Sequence, residues 1–423
     1  MSTITITITI GPLLVLATLA LLKAGAAQVP INPWEPTARI QHMLENSAAG
    51  AVLVTRAQAP ILAFKLTHPR VLVLEDVLGW REDEGWEDNC EGLGELRENE
   101  GRDIEDTGLD VELQDGEGGA RDRTETNSEV GGSCFRKVAS VQREEDRHDG
   151  LMNPEAPSHV IYTSGTTGHP KGVVCSHRGL LHYCRAKVKA HSITSASRVL
   201  LVSAHTWDPC IGELISTLLE GATLCVGPRG LIVQDLALAL QRSRASHVLA
   251  TPGLWSMLGE GPGAFPDLKV AALGGEKIPP GILEEWGGAV CLLNTYGTTE
   301  ATVYQTTARL DPGSDPARIG TPLDGVLLAL DEGGQLWIGG LQLASGYLNS
   351  PELTADFFRP GSVMPASFPV CPYWVRSGDR GKYEADGGIV LLGRTDSQVK
   401  INGMRVELGE VRPDTITLST IHA

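Results

Sequence analysis

The sequence predicts an α/β fold in which doubly wound parallel sheets are joined to a small β subdomain. Short apolar runs have the length and composition of buried strands, and helical patterns such as residues 176–191 and 232–244 separate most of them. Strands that alternate with helices specify parallel pairing. From about residue 318 the strand-like pieces become shorter and are separated by Gly and Pro, which predicts the β subdomain. The apolar runs are residues 159–162, 199–202, 223–226, 247–250, 269–273 and 290–293.

The first 80 residues carry the same kind of pattern in a shorter form. Residues 36–44 have helical spacing, with Pro36 suited to a first turn, and residues 51–55 and 71–75 have the composition of buried strands. For the apolar run 11–29 we favour a buried helix that runs into Pro30. The alternative is a signal peptide, but no basic segment precedes the run and Lys23 interrupts it.

The acidity of the chain is confined to one segment. The net charge is −17, yet residues 81–150 hold 23 acidic and 9 basic residues, and the rest of the chain holds 29 and 26. This segment is rich in Gly and lacks periodicity, so we predict a disordered insertion, with an acidic docking segment as the alternative. The charge pattern argues against nucleic acid as a partner, since no basic surface is predicted.

The eight cysteines are scattered without a C-x-x-C pair, so neither a zinc site nor a disulfide framework is indicated. Free thiols are typical of a reducing compartment. We therefore expect a cytoplasmic location and no membrane partner.

The sharpest local motif directly follows the strand candidate that ends at Tyr162. A Gly/Ser/Thr loop with one lysine offers backbone N–H groups, hydroxyls and an ammonium to an anion. It is not a Walker A loop, because Pro170 precedes Lys171. A flexible loop is the alternative when the motif is read alone. The residues that would hold phosphate are Thr163, Ser164, Gly165, Thr166, Thr167, Gly168 and Lys171.

Three further polar groups follow predicted strands, where ligands of open α/β sheets bind. They are Thr251-Pro252, then Gly274, Gly275 and Glu276, then the residues from Tyr296 to Glu300. An aromatic ring, a hydroxyl and a carboxylate suit a purine base, a phosphate and a magnesium ion. Taken singly, Tyr296 is better interpreted as a core aromatic and Glu300 as a solvated charge.

Together these motifs resemble the adenylate-forming (AMP-dependent synthetase/ligase) superfamily, and in detail they are most similar to nonribosomal peptide synthetase adenylation domains and β-alanine-activating enzymes. The resemblance covers nearly all of residues 12–80 and 151–411. The matching blocks, in the family's order, are residues 22–26 with 29–33, 163–172, 296–300, 346–349 with 351–354, 376–379, and 393–401 with 405–410.

The resemblance implies ATP and Mg²⁺ as cofactors. The loop residues would hold the triphosphate, Tyr296 would stack on adenine, and Glu300 would hold magnesium. Lys171, Thr299 and Glu300 would be catalytic, with Thr299 on phosphate. The remaining implied contacts are Gly274, Gly275 and Glu276 at the nucleotide, Asp379 on the ribose with Arg394 nearby, and Asp396 as the hinge between a large and a small domain.

The resemblance also implies the substrate side of the site. Asp208 matches the residue that pairs with the substrate ammonium in members that activate amino acids, and a buried carboxylate without a cation is costly. The alternative is a surface aspartate in a turn before Pro209. Other matching pocket positions are Gly212, Thr295, Val303 and Tyr304.

The implied reaction is activation of a carboxylic acid, here an amino acid, to an acyl-adenylate with release of pyrophosphate. Transfer to a thiol of phosphopantetheine or coenzyme A would follow, with a carrier protein as a partner. Two alternatives are an acyl-CoA synthetase for a plain acid and a non-catalytic fragment that binds nucleotide. Asp208 is the residue that distinguishes the acyl-CoA synthetase alternative from activation of an amino acid.

The chain departs from the family pattern at both ends, and we expect it to be truncated at both. Thr298 also stands where the peptide synthetases commonly have proline. The expected organisation is a partial N-terminal α/β part, the acidic insertion, the α/β core that binds ATP and substrate, the β subdomain, and a hinge with the start of a C-terminal small domain that is essentially missing. These are residues 1–80, 81–150, 151–317, 318–395 and 396–423.

Overall fold

Two large sheets carry the fold of this chain, seen in a computed structural model. The structure describes residues 4–8, 11–63, 71–78, 153–165, 169–396, 398–401 and 404–407. The predicted disordered insertion at residues 81–150 lies outside the described residues.

Within the described residues the first sheet has seven strands, and the Thr-Ile repeat forms one of its inner ones. This strand, β1, pairs in parallel with β2 on one side and β3 on the other. Threonine and isoleucine are β-branched and favour extended backbone, which explains why a repeat of so little variety forms a strand. The order is β16-β6-β5-β2-β1-β3-β4, with β1 Ile4–Ile8, β2 Ala27–Pro30, β3 Ala51–Val54, β4 Val71–Val73, β5 Pro157–Thr163, β6 Lys171–Ser176 and β16 Gly346–Tyr347.

The second sheet counts twelve strands in the part of the chain that the structure describes, and it is parallel at one end and antiparallel at the other. Strands β8, β7, β9, β10 and β11 pair in parallel, and β12 starts the antiparallel part. The predicted α/β class with an added β-rich part is therefore confirmed. The strands are β7 Arg198–Leu200, β8 Thr223–Cys225, β9 His247–Ala250, β10 Val270–Gly274, β11 Cys291–Tyr296, β12 Thr306–Arg309, β13 Arg318–Pro322, β14 Val326–Leu330, β15 Gln335–Gly340, β17 Phe358–Pro360, β18 Tyr373–Tyr383 and β19 Ile389–Arg394.

Helices cover the sheets and connect most of the parallel strands. Three short 3₁₀ turns add to them at Pro262–Ala264, Thr299–Ala301 and Gly361–Val363, and β20 Gln398–Ile401 pairs with β21 Met404–Glu407 as a hairpin. The helices are α1 Pro12–Lys23, α2 Thr37–Ser47, α3 Ala59–Ala63, α4 Leu74–Leu78, α5 His177–His191, α6 Asp208–Leu219, α7 Arg229–Gln234, α8 Leu236–Ser243, α9 Pro252–Trp255, α10 Pro280–Trp286 and α11 Pro351–Phe357.

Two helix predictions need correction. The expected helix over residues 11–29 ends at Lys23, because Gly25 adopts a left-handed backbone with φ of 68° and the chain then enters β2. The expected helix over residues 232–244 is two helices, α7 and α8. Asp235 separates them because its side chain accepts the N–H of Leu238 and so caps the second helix.

The core of the second sheet packs apolar helix faces on parallel strands. Trp255 and Trp286 are fully buried and meet edge to face with ring centroids 4.7 Å apart. Within the described ranges, no helix is both long and apolar enough to cross a membrane.

Candidate active site

A cavity of about 580 Å³ opens where the carboxyl ends of β5, β9, β10 and β11 approach one another. This is where ligands of open α/β sheets bind. The structure thus brings together most of the described residues that the sequence singled out. Those that line the cavity are Thr163, Ser164, Asp208, Gly274, Gly275, Thr295, Thr299, Val303, Tyr304, Asp379 and Arg394.

The predicted phosphate loop joins two antiparallel strands. Lys171 begins β6 and pairs with Thr163 at the end of β5, so the loop closes a hairpin and does not lead directly into a helix. Ser176 then caps α5 by accepting the N–H of Gly179. A side chain at Gly165 would meet the carbonyl oxygen of His169. The expected phosphate contacts of residues 166–168 lie outside the described residues.

Lys171 and Glu300 form a buried cluster beside the cavity. The Lys171 Nζ lies 3.8 Å from Glu300 Oε1, and the two side chains are 8% and 2% exposed. The hydroxyl of Tyr347 donates to the same carboxylate oxygen at 2.7 Å, and the Thr298 hydroxyl donates to the other. Lys171 also lies 4.8 Å from the ring centres of Tyr347 and Phe357. The charge of each partner is therefore largely compensated inside the protein.

The donor set at Glu300 fits magnesium. Mg²⁺ takes oxygen ligands, and in nucleotide sites it uses one or two carboxylates with the phosphates and water. Glu300 supplies a carboxylate, and Thr298, which lines the cavity, supplies a hydroxyl next to it. In the described part of the chain, no three His, Cys, Asp or Glu residues cluster as a metal site.

A second charged cluster surrounds Asp379. Arg394 Nη1 donates to Asp379 Oδ1 at 2.8 Å, and its Nε donates to Asp396 Oδ1 at 2.7 Å. Burial alone would lower the pKa of Arg394, but its bond to Asp396 and the charge of Asp379 raise it above the ordinary value. Arg394 thus bridges Asp379, the predicted ribose residue, and Asp396, the predicted hinge residue.

Tyr296 lies at the edge of this cluster, within the core. It is 6% exposed and packs with Ile319, Leu336 and Ile389, and its hydroxyl donates to Asp379 Oδ2 at 2.6 Å. It does not line the cavity. Stacking of Tyr296 on adenine therefore stays a prediction.

Asp208 lies in the cavity wall at the start of α6. It is 7% exposed, accepts the N–H of Val303 at 3.2 Å, and has no basic side chain within ion-pair distance among the described residues. Burial raises the pKa of Asp208 to about 7, while hydrogen bonds from Thr299 and Val303 oppose the shift. A cation that binds next to this carboxylate would therefore stabilise its charged form.

The backbone that faces Asp208 is strained. Thr302 and Val303 have φ values of 62° and 70°, although both are β-branched and disfavour the left-handed region. This conformation accompanies the bond from the Val303 N–H to Asp208. Strain of this kind is concentrated at functional sites.

Tyr304 forms another part of the cavity wall, and contacts with two other side chains fix its position. Its hydroxyl is 2.7 Å from His191 Nε2, and its ring meets Tyr183 edge to face at 5.0 Å. A side chain at Gly212 would collide with the Tyr183 ring, at 2.6 Å, so Gly212 admits this ring and does not itself line the cavity. Thr295 lines the cavity and donates its hydroxyl to the carbonyl oxygen of Leu273.

Sequence reasoning missed several of these residues. Tyr183 and His191 lie on α5, with no local motif to mark them. Tyr347, on β16, lies within a matching block but was given no role. Arg229, at the start of α7, lines the cavity although it is far from every motif. Glu276 was predicted at the nucleotide, yet it does not line the cavity.

Comparison with known proteins identifies the class. A family model described as AMP-binding enzyme matches residues 2–348, so the chain belongs to the AMP-binding enzyme family. The predicted assignment to the adenylate-forming ligases is confirmed.

Curated relatives include a biosynthesis protein and a peptide synthetase. Novobiocin biosynthesis protein H of Streptomyces niveus is 33% identical over 410 residues, which cover 94% of this chain and 58% of that protein. Phosphinothricin tripeptide synthetase PhsC of Streptomyces viridochromogenes is 32% identical over 409 residues, which cover 94% and 32%. The chain thus spans 58% or less of the length of these two relatives.

Solved structures show the same fold. The Vibrio cholerae adenylation domain AlmE, in complex with glycyl-adenosine-5'-phosphate, superposes with a TM-score of 0.71 at 22% identity and covers 97% of this chain and 73% of that one. A holo four-domain nonribosomal peptide synthetase bound to AMP and glycine gives 0.68 at 27% identity and covers 97% and 27%.

Proposed function

We propose that this chain activates an amino acid with ATP and Mg²⁺, forming an aminoacyl-adenylate and releasing pyrophosphate. The observation that carries the proposal is Asp208, a buried carboxylate with no basic partner among the described residues, in the wall of the cavity that Thr163 and Ser164 also line. A carboxylate in this setting favours an ammonium ligand. The family membership supports the nucleotide chemistry.

The substrate carboxylate oxygen would attack the α-phosphorus of ATP, and the bond from that phosphorus to the bridging oxygen would break. Thr163, Ser164, Thr299 and Lys171 would hold the triphosphate and offset the charge that develops on the phosphoryl oxygens. Each such contact is worth about 10²–10³ in rate when it acts mainly on the transition state. Bound Mg²⁺, held by Glu300, would neutralise part of the triphosphate charge.

Asp208 would fix the amino end of the substrate, so that the reacting carboxylate is presented in one orientation. Asp379 would accept hydrogen bonds from the ribose, with Arg394 setting the position of the carboxylate through the bond described above. Gly274 and Gly275 line the cavity at the end of β10. A side chain at Gly274 would collide with Thr295, and Gly275 has a left-handed backbone with φ of 87° that favours glycine.

The second step that we propose is transfer of the acyl group to a thiol of phosphopantetheine or coenzyme A. If the acceptor is phosphopantetheine, a carrier protein would be the partner. The support is the relatives' identity as peptide synthetases. The competing function is an acyl-CoA synthetase for a plain acid, and Asp208 argues against it because such a substrate brings no ammonium.

The test is ATP–pyrophosphate exchange over a panel of amino acids, fatty acids and aryl acids. We expect exchange with at least one amino acid and none above background with the plain acids. Exchange confined to plain acids would replace the proposed function with the competing one, and a folded protein with no exchange at all would support a non-catalytic chain.

A further inference from the structure

The charged side chains that line the cavity are not all paired. Of the six, four form two ion pairs, with 3.4 Å between Arg39 Nε and Glu35 Oε2 and 2.8 Å between Arg394 Nη1 and Asp379 Oδ1. Among the residues that the structure describes, Asp208 and Arg229 have no oppositely charged side chain within ion-pair distance. As far as the described ranges extend, the cavity therefore presents one unpaired anion, Asp208, and one unpaired cation, Arg229.

Arg229 is held in place but only partly satisfied. Its Nε donates to the carbonyl oxygen of Val202 at 3.1 Å, and the side chain is half-buried in the cavity wall. Burial lowers the pKa of Arg229, although a guanidinium stays charged at any physiological pH. A half-buried guanidinium with free N–H donors gains most from a planar, bidentate anion such as a carboxylate.

We propose that Arg229 recognises the side-chain carboxylate of an acidic amino acid, while Asp208 pairs with the ammonium of the same molecule. This inference rests on the proposed function and narrows its substrate class. The reacting carboxylate of the substrate is committed to the α-phosphorus, so the anion for Arg229 has to be a second one.

The surroundings of Arg229 strengthen the pairing. Val233 lies one helical turn from Arg229 on α7, and Val233, Trp207 and Leu254 add apolar surface to the same cavity, which limits water around a bound carboxylate. Ion pairs gain strength as the local dielectric falls. A neutral side chain in the same place would leave the guanidinium partly desolvated and unpaired, so the site also discriminates against it.

The experiment is exchange by the full chain with L-aspartate and L-glutamate beside their amides, L-asparagine and L-glutamine. The unmodified protein should prefer an acid over its amide. Arg229→Gln should reduce that preference by about 10-fold to 100-fold, the usual range for one charge-assisted hydrogen-bonded contact. Arg229→Lys keeps the charge and should retain part of the preference. Arg229→Glu should move the preference toward L-lysine and L-ornithine.

Arg39→Gln is the matched control, because Arg39 lines the same cavity but is paired with Glu35. It should leave the ratio of acid to amide unchanged. The inference is overturned if the unmodified protein exchanges best with a neutral or basic amino acid. It is also overturned if Arg229→Gln lowers exchange with every amino acid equally, or if it changes only transfer to phosphopantetheine. Absence of exchange with any amino acid would instead count against the proposed function itself.

Discussion

The predicted nucleotide end and the predicted acid end of the site differ in whether their charged side chains are paired. At the predicted nucleotide end, Lys171 is compensated by Glu300 and Arg394 by Asp379, so the protein neutralises its own charges before a ligand binds. At the predicted acid end, Asp208 and Arg229 have no partner of opposite charge in the described part of the chain. The charged groups at the nucleotide end are therefore paired before a ligand binds, whereas those at the acid end are paired only when a substrate brings the opposite charges.

This difference has a simple physical meaning. In the proposed reaction ATP is the constant ligand, so fixed ion pairs would hold the groups that bind it in a single geometry. The acid is the variable ligand, and an unpaired buried charge rejects any molecule that does not bring its counter-charge. We therefore expect substitutions at the acid end to change which substrate reacts, and substitutions at the nucleotide end to change how well every substrate reacts.

The largest expected effect is at Asp208. Loss of one partner of a buried ion pair costs about 3–5 kcal/mol, so Asp208→Ala should lower kcat/KM for the amino acid by about two to three orders of magnitude. The KM for ATP should change little. Exchange kinetics at saturating ATP provide the measurement, and Asp324→Ala, which removes an exposed aspartate paired with Lys189, is the control. An unchanged kcat/KM in folded Asp208→Ala would show that this carboxylate does not contact the substrate.

The next effect is at Lys171. Lys171→Ala should weaken ATP binding or turnover by about ten-fold or more for every acid tested, because it removes a charge-assisted contact. The comparison needs ATP titration by calorimetry together with exchange rates. Lys189→Ala, at an exposed lysine, controls for loss of charge. If ATP affinity and exchange rate stay at the unmodified level, Lys171 has no role at the phosphates.

The pH dependence should separate the two ends. Burial raises the pKa of Asp208 to about 7, so this carboxylate becomes protonated as the pH falls through 7, well above the range of an ordinary aspartate. Protonation removes its attraction for ammonium, and kcat/KM for the amino acid should fall toward ten-fold per pH unit below about pH 7. The profile of Asp208→Asn should lose this inflection. Persistence of the inflection in that variant would assign it to another group.

The smallest expected effect is at Tyr347, whose hydroxyl donates to Glu300. Tyr347→Phe removes one hydrogen bond to a carboxylate and should lower exchange by roughly ten-fold or less, equally for all substrates. A substrate-dependent effect would be unexpected, since this hydroxyl belongs to the compensated end. Rates for two amino acids of different side chain are enough to distinguish these outcomes.

The strand-end motifs could be predicted from sequence because each is local. A polar group that follows a buried strand lies at the carboxyl edge of the sheet, and Thr163, Gly274 and Thr299 line the cavity for this reason. The hairpin after β5 was not predicted, since a Gly/Ser/Thr loop before a helix cap gives no signal for the intervening strand β6.

The pairing of side chains could not be predicted. Lys171 approaches Tyr347 across 176 residues of sequence, and Tyr304 meets His191 across 113. Such contacts depend on how whole elements pack, and no spacing along the chain encodes them. Arg229 is the clearest example, because its role in binding depends on which of the neighbouring charged side chains are already paired.

The most direct test of the central claim compares each amino acid with the same acid lacking its amine. Exchange should be measured for L-glutamate beside glutarate and for L-phenylalanine beside 3-phenylpropionate, with the unmodified protein and Asp208→Ala. If Asp208 selects the ammonium, the unmodified protein should favour the best amino acid over its deaminated analogue by about two to three orders of magnitude, and Asp208→Ala should erase most of that ratio. Equal or faster exchange with the deaminated acids by the unmodified protein would contradict the account.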